Sequence, residues 1–415
     1  MKILIVGSGG REHAIAWKLN QSSRNPELFA APGNVGMMEI ATCINITVDD
    51  IDGLLSFAKA QSIDLTVVGP EVPLVLGIVD RFEAEGLKII GPNQFAAQFE
   101  GSKDFTKAFL TKHGIPTAAY GTYDSHEEAI EALDQFGFPV VIKADGLAAG
   151  KGVIIANDMV EARAAIDDMM QDLVFGEAGA RVVIEEFLVG VEASILCFCD
   201  GLTLLPMQAA QDYKKAMDGD LGPNTGGMGT YSPSRVIDAV RMDTINKTIL
   251  QPFIDGIHKD GIEFKGILFV GIMIDGDDIR VLEYNVRFGD PETEVTLPRL
   301  KNDLIDIFDA IVSQRLDEVE LDWHDQSAVC VIMASGGYPE NYEKSKIIKG
   351  FENVNDATVF HCGTKMLDGE IVTNGGRVLG VTSLGDDLET ARACAYEAVR
   401  KISFEQAYYR NDIGK

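Results

Sequence analysis

Between Lys2 and Gly101 short apolar runs alternate with stretches whose apolar residues recur at helical spacing: KILIVG, REHAIAWKLN, LFAAPG, DGLLSFAKAQ, LTVVGP, LVLGIVDRFEAEG and LKIIGP. Apolar runs without polar alternation fit strands buried on both faces, and the intervening stretches fit helices, so the pattern predicts a parallel sheet covered by helices. Three of the strands end at Pro32-Gly33, Gly69-Pro70 and Gly91-Pro92. Ligands of such sheets collect at the carboxyl ends of the strands, which makes residues 1–101 a candidate substrate-binding α/β domain.

The pattern then changes. A helical stretch from Lys103 to His113 leads into a segment from Tyr120 to Leu188 that holds a helix over Ser125–Phe136, the strand PVVIKAD, a glycine-rich loop, VIIA, a second helix and RVVIEEFL. This reads as a small α+β module, residues 120–190. From Val191 the strands lengthen: ASILCFC, then ILFVGIMI paired with IRVLEYNVRF across Asp275-Gly276-Asp277. An antiparallel core of residues 102–119 and 191–325 follows, and a last unit, residues 326–415, carries AVCVIMAS, short turn-rich strands around Asn374-Gly375-Gly376-Arg377 and a helix. The fold class is thus α/β and α+β, in several domains.

Charge narrows the partners. A net charge of −28 repels polyphosphate backbones and anionic lipid, which argues against nucleic-acid and membrane binding. The longest uncharged apolar run, Ile267 to Ile274, is far short of the roughly 20 residues of a membrane span. Met1 is followed at once by a strand rather than a basic, cleavable leader, and the six cysteines lack metal or redox spacing. A reducing cytoplasm is the expected compartment.

Several segments carry chemistry. Gly7-Ser8-Gly9-Gly10-Arg11-Glu12 turns from strand to helix, but Glu12 stands where a dinucleotide fingerprint needs its third glycine, and an acid there opposes a pyrophosphate. A helix N-terminus with Arg11 still suits a phosphate monoester. Gly146-Leu147-Ala148-Ala149-Gly150-Lys151-Gly152 is one residue short of a Walker loop and lies between strands, so it reads as a hairpin flap whose backbone N–H groups fold over phosphates. Lys143, in the apolar strand before it, needs an anionic partner if it points inward. Glu185-Glu186-Phe187-Leu188, with Glu192 beyond, offers carboxylates for ribose hydroxyls and backbone groups for an adenine edge. In Glu283-Tyr284-Asn285-Val286-Arg287-Phe288-Gly289-Asp290-Pro291-Glu292-Thr293, strand alternation puts Glu283, Asn285 and Arg287 on one face. Carboxylate and amide oxygens are hard ligands suited to Mg²⁺, and the guanidinium can neutralise a phosphoryl or carboxylate oxygen beside them. Asp290-Pro291 also makes a helix start, with Asp290 as N-cap.

The flap, the EEFL hinge with Glu192, the loop QDYKKAMDGDLGPNTGGMG and the EYNVRFGDPETE strand, taken in that order, resemble the ATP-grasp ligases. Within them the chain is similar to the phosphoribosylamine–glycine ligase family, which it also matches at GSGGREH, APGN, VVGPEVPL, GTK and TNGGRVL. The resemblance implies an N-terminal parallel domain, a central ATP-grasp core with a mobile lid and a small C-terminal α+β domain. It implies a ligase that uses ATP with Mg²⁺ or Mn²⁺ to make glycyl phosphate, which the amine of 5-phosphoribosylamine attacks. Lys103, Lys143 and the flap residues Gly146, Gly150, Lys151 and Gly152 would then hold phosphates, and Glu185, Glu186, Phe187, Leu188 and Glu192 adenosine. Glu283 and Asn285 would ligate metal, while Arg287, Asp212 and Lys143 would serve catalysis. Asp212 with Asn224, Thr225, Gly226 and Gly227 would position glycine, and Gly9, Gly10, Arg11, Asn34, Glu71 and Asp290 would receive phosphoribosylamine. Leu268 to Ile272 offers no second acidic ligand, so the metal count stays open. A monomer is expected, with at most weak contacts to neighbouring pathway enzymes. The rival readings are a ligase acting on bicarbonate or formate, an NAD-dependent oxidoreductase and a nucleotide sensor without turnover.

Overall fold

The computed structural model describes residues 1–148, 152–174 and 176–415. Strands β1 (Lys2–Gly7), β2 (Glu27–Pro32), β3 (Thr42–Cys43), β4 (Leu65–Val68) and β5 (Ile89–Ile90) form a wholly parallel sheet in the order β3-β2-β1-β4-β5. The order reverses between β1 and β4, so the turns after them, Gly7–Gly9 and Gly69–Glu71, open the crevice in which ligands of such sheets sit.

The module expected at residues 120–190 is a four-stranded antiparallel sheet of β6 (Tyr120–Tyr123), β7 (Val140–Ala144), β8 (Val153–Ala156) and β9 (Val182–Glu186) in the order β6-β9-β7-β8. Two helices, His126–Ala132 and Met159–Met170, cover it, each with a side-chain N-cap, Ser125 and Asp158. Its apolar side chains, among them Val140, Ile142, Ile166, Val182 and Ile184, form a cluster separate from the main core. A unit with its own core can shift as a body, as a lid requires.

The central sheet runs β11-β10-β16-β17, from β10 (Val191–Cys199), β11 (Leu204–Pro206), β16 (Gly266–Asp275) and β17 (Asp278–Asn285). The β16–β17 hairpin turns at Gly276-Asp277, as the sequence predicts. Its register shifts at Gly271, which opposes Glu283 while Ile272 opposes Val281, so Leu282 is bulged out. Ser194 on β10 also opposes Gly271, which aligns Ser194, Gly271 and Glu283 on one face of the sheet.

The C-terminal sheet, β12-β15-β18-β22-β19, combines β18 (Ser327–Ala334), β19 (Thr358–His361) and β22 (Arg377–Gly385) with two short strands from far upstream, β12 (Gln211–Asp212) and β15 (Gly229–Ser232). Between the latter two lies a hairpin of β13 (Lys215–Met217) and β14 (Leu221–Asn224). A second small hairpin, β20 (Thr364–Leu367) with β21 (Glu370–Thr373), precedes β22. The glycine-rich loop is therefore strung between two strands of the C-terminal sheet.

The first and last units meet directly. The Asn34 amide donates to the Ser8 and His361 carbonyls at 2.8 and 2.7 Å, and His361 N–H donates to His13 Nδ1 at 2.9 Å. Both imidazoles are held neutral. Burial, then the neighbouring His361, takes His13 from 6.5 down to about 3, and burial takes His361 down to about 4. Below pH 6.5 the unfolded chain takes up protons that the folded chain refuses, so this junction loses stability as pH falls from 6.5 towards 4, by about 1.4 kcal/mol per pH unit for each imidazole. Thermal melts across that range should show the decline, and His13→Gln should shallow it. A slope identical in the variant would remove His13 from the effect.

Candidate active site

The cleft lies where the lid, the central sheet and the N-terminal unit converge, and three charged groups of residues line it. On the lid side, Lys143 Nζ on β7 lies 2.8 Å from Glu185 Oε1 on β9, and Lys107 Nζ lies 2.8 Å from Glu185 Oε2. The inward-pointing Lys143 thus has the anionic partner its apolar strand demanded. Glu185 is buried under two ammonium groups. Burial opposes its charge, but Lys143 and then Lys107 outweigh it and hold the carboxyl below its ordinary range. Burial takes the Lys107 ammonium down to about 8 despite Glu185.

Lys103 Nζ reaches the Gly146 carbonyl at 3.4 Å, at the base of the flap. The N-terminus of its helix, Lys103–Lys112, is already occupied: Asp145 Oδ1 accepts from Lys103 N–H at 2.6 Å and from Asp104 N–H at 3.2 Å. Gly150 and Lys151 lie outside the described residues. At the hinge, Glu186 pairs with Arg280, and a cavity of ≈ 240 Å³ is lined by Glu186, Phe187, Leu188, Met273 and Arg280. Glu192, opposite Met273 on the same sheet face, is exposed beside it.

The second group is the face that strand alternation predicted. Asn285 Nδ2 lies 3.4 Å from Glu283 Oε1, and Arg287 donates to Asn285 Oδ1 at 3.3 Å. Burial would raise the Glu283 carboxyl, but Lys214, Lys103 and Lys143 overcome it and hold Glu283 below its usual range. Three lysines from three segments therefore favour the charge of one carboxylate, although each pairs elsewhere: Lys103 with the Gly146 carbonyl, Lys143 with Glu185 and Lys214 with Asp212. Arg287 is fixed from behind by Glu100 at 2.7 Å and Glu71 at 3.4 Å, and Glu100 also accepts from Val286 N–H at 2.8 Å. Arg11 donates to the Phe288 carbonyl at 3.1 Å and pairs with Glu12 at 2.5 Å. Glu12 in turn takes the Gly9 N–H at 2.5 Å, so this acid fills the turn that a pyrophosphate would need.

The third group surrounds the glycine-rich loop. Lys214 Nζ lies 2.6 Å from Asp212 and 4.0 Å from Glu292. Burial, and next Asp212, pushes Glu292 up to about 7. Gly227 has φ +115° and packs so tightly that a Cβ there would sit 2.6 Å from Pro291 Cδ, which explains its glycine. Thr225 Oγ1 donates to the Lys214 carbonyl at 2.8 Å, and Asn224 pairs with Lys215 across the hairpin. From the C-terminal sheet, Arg377 grips Asp290 Oδ1 at 3.0 Å and the Gly226 carbonyl at 2.7 Å, while Tyr338 accepts from Gly226 N–H at 3.1 Å.

The structure brings Lys103, Lys143, Glu283, Asn285, Arg287, Glu71 and Arg11 together, and joins Asp212 to the Gly226–Asp290 corner. Other expected site residues serve the framework. Asn34 joins domains through its Nδ2, which donates to the His361 carbonyl, while its Oδ1 accepts from Met37 N–H at 3.1 Å within the N-terminal unit. Gly10 is a close-approach position, where a Cβ would lie 2.4 Å from Oε1 of Glu294, a carboxyl that burial raises well above its ordinary range. Gly9 lies beside Asp290, and a Cβ there would sit 3.4 Å from its Oδ2. Asp290 does not cap a helix: the helix is Thr293–Arg299, with Glu292 at its N-cap, and the Asp290 carboxylate is instead paired with Arg377 at 3.0 Å. Glu100, Lys107, Lys214, Glu292 and Arg377 carry no role in the sequence reading. Lys107 had a signal, since it lies four residues from Lys103 on the same helix face.

Comparison with known proteins places these features in context. Residues 1–100, 101–293 and 328–415 match the family models for the N domain, the ATP-grasp (A) domain and the C domain of phosphoribosylglycinamide synthetase. The chain is 50% identical over 413 residues to the phosphoribosylamine–glycine ligase of Caldanaerobacter subterraneus subsp. tengcongensis, covering 100% of this chain and 99% of that protein. It is 51% identical over 419 residues to the ligase of the same name from Allochromatium vinosum, covering 100% and 98%. The crystal structure of the Thermotoga maritima phosphoribosylamine–glycine ligase superposes with a TM-score of 0.86 at 35% identity, over 99% of this chain and 100% of that one. A biotin carboxylase domain from Hydrogenobacter thermophilus shares the fold, with a TM-score of 0.76 at 14% identity over 98% and 91% of the two chains.

Arg287→Ala leaves the buried Glu100 and the neighbouring Glu71 without their shared cation. Loss of one partner from a buried pair costs about 3–5 kcal/mol, so urea unfolding should show a loss of that order. Adding Glu100→Gln should restore part of it. A double variant as unstable as the single one would show that the Glu100 charge is not the cause.

Proposed function

The chain belongs to the phosphoribosylglycinamide synthetase family, and we propose that its cleft joins glycine to 5-phosphoribosylamine with ATP as the phosphoryl donor, a step of purine biosynthesis. The observation that carries this reading is the placing of Glu283, Asn285 and Arg287 on one strand face, with Lys103, Lys143 and Lys214 near enough to favour the Glu283 charge. Such a concentration of positive charge in a chain of net charge −28 suits a polyphosphate and a transferring phosphoryl group.

Lys143 and Lys103 hold phosphates, and the hinge cavity beside Phe187 and Leu188 takes the adenine, with Glu192 at the ribose. Glu185, bound to two lysines, acts by aiming Lys143. Glu283 and Asn285 fit a divalent ion, Mg²⁺ or Mn²⁺: both present hard oxygens on one face, and among the described residues no group of three or more acidic, His or Cys side chains could hold a metal alone. A site with so few protein ligands suits an ion completed by substrate phosphates and water. When bound, that ion draws charge from the phosphoryl group in transfer.

The γ-phosphoryl group leaves ADP and bonds to a carboxylate oxygen of glycine. The phosphoribosylamine nitrogen then attacks the carbonyl carbon, phosphate departs, and the nitrogen loses a proton. Arg287 offers its donors to the oxygens on which charge builds in both steps, and Glu100 and Glu71 keep its fork from swinging away. Asp212 exchanges Lys214 for the glycine ammonium, and the crevice of Arg11, Glu71 and Asp290 receives phosphoribosylamine. Among the described residues no helix is long and apolar enough to cross a membrane. The six free cysteines support a reducing, cytoplasmic setting, and we expect a monomer acting on small molecules.

ADP release measured with glycine, bicarbonate and formate, each with and without phosphoribosylamine, should require glycine, phosphoribosylamine and divalent metal together. Equal release with bicarbonate would overturn the assignment. Glu283→Gln removes the only carboxylate of the proposed metal pair, so half-maximal rate should need at least tenfold more Mg²⁺, an order-of-magnitude expectation for a lost ligand. An unchanged Mg²⁺ dependence would move the metal elsewhere.

A further inference from the structure

Arg410 has no solvent exposure, yet nothing in the proposed chemistry uses it. Its guanidinium forks onto Asp412 with two bonds of 2.8 Å and donates to the Lys215 carbonyl at 2.9 Å. It also pairs with Asp220 at 2.9 Å and lies 4.9 Å from the centre of the Tyr213 ring. The rest of the tail grips the same hairpin. Tyr408 donates to the Ala216 carbonyl at 2.5 Å, Asn411 N–H to Asp218 at 2.7 Å, and Gly414 N–H to the Tyr213 hydroxyl at 3.0 Å. Asp412 accepts from Gly219 N–H at 2.8 Å.

The hairpin cannot fix itself. A two-stranded ribbon is marginal alone, and this one leaves Met217 and Leu221 more than half exposed, so apolar burial does little to hold it. The tail, by contrast, is rooted in the C-terminal core: Tyr408 bridges Ala334, Ile413 is fully buried, and the Arg410 carbonyl accepts from Tyr396 at 2.7 Å. Movement of the hairpin would reach the cleft by two short paths. Lys215 is paired with Asn224, and the Lys214 carbonyl takes both the N–H and the hydroxyl of Thr225. Tyr213, stacked on Arg410, lies between Asp212 and Lys214.

We infer that the C-terminal tail, through Arg410, is the positioning element of the loop that carries the amino-acid subsite. The inference rests on the reading of Asp212 and Asn224–Gly227 as that subsite. A buried guanidinium with a planar fork holds several carbonyl and carboxylate oxygens in one geometry, which an apolar side chain cannot do. Displacing a binding group by about 1 Å can cost on the order of a hundredfold in rate.

The test compares Arg410→Met, Arg410→Lys and Asn224→Ala in the full chain by steady-state kinetics, with hydrogen exchange of amides 213–229. Arg410→Met should raise the KM for glycine about tenfold or more, leave the KM for ATP within about twofold and speed exchange in 213–229. Arg410→Lys should recover part of the glycine affinity. If Arg410→Met does not fold, Tyr408→Phe combined with Asp218→Ala releases the hairpin while keeping the buried guanidinium, and should raise the glycine KM in the same selective way. Asn224→Ala raising the glycine KM while the hairpin variants leave it unchanged would overturn the inference alone. Asn224→Ala without effect on glycine would overturn the reading of the loop, and the inference with it.

Discussion

The arrangement of the cleft depends on one buried carboxylate, Glu100. It sits in the last turn before the ATP-grasp core, takes the Val286 N–H at 2.8 Å and holds Arg287 at 2.7 Å. Burial raises its carboxyl above the ordinary range, with Arg287 the chief opposing influence, so the pair is stable only as a pair. Because Arg287 also reaches Glu71, the same guanidinium ties the β17 strand to the crevice of the N-terminal sheet. The central sheet and the N-terminal crevice are thereby held in one register. An apolar contact could join the domains as firmly, but it would leave no directed donor at the place where oxygen charge must be met.

The same logic recurs with the sign reversed on the lid. Glu185 is an acid between two lysines, so Lys143 reaches the cleft from a lid whose polar anchor, Lys107, belongs to the adjoining helix. A lid tied by charge and covered by its own apolar core can reorient about the Glu186–Val189 hinge without exposing that core.

Much of this was legible in the sequence, for reasons that can be named. The runs KILIVG and LTVVG are buried on both faces and lie at the centre of a parallel sheet, where only apolar residues are tolerated. The face of Glu283, Asn285 and Arg287 follows from strand period alone, although Arg287 lies two residues past the strand end. The illegible parts are those in which distant segments neutralise each other. Lys107 and Glu100 look like ordinary surface charges in their local sequence, because the partner that makes burial tolerable is far along the chain. Gln211–Asp212 is too short to show any period, so its place in the C-terminal sheet could not be read locally. Asp290-Pro291 has the composition of a helix start, but the Arg377 guanidinium outweighs the local capping preference.

That last competition ties the C-terminal unit to the glycine-rich loop. Tertiary ion pairs decide the course of the backbone on both sides of the loop: Arg377 fixes Asp290 and Gly226, while β12 and β15 are strands of the C-terminal sheet itself. The loop between them contains glycines whose backbone freedom would otherwise leave many conformations open, and at Gly227 the adopted one has positive φ. Closing such a loop between two adjacent strands lowers the entropy lost when its ligand binds, because the ends are already fixed. On the proposed assignment, the C-terminal sheet would do for the small substrate what the lid would do for the large one. It converts a flexible segment into a preformed wall, largely by hydrogen bonds and charge.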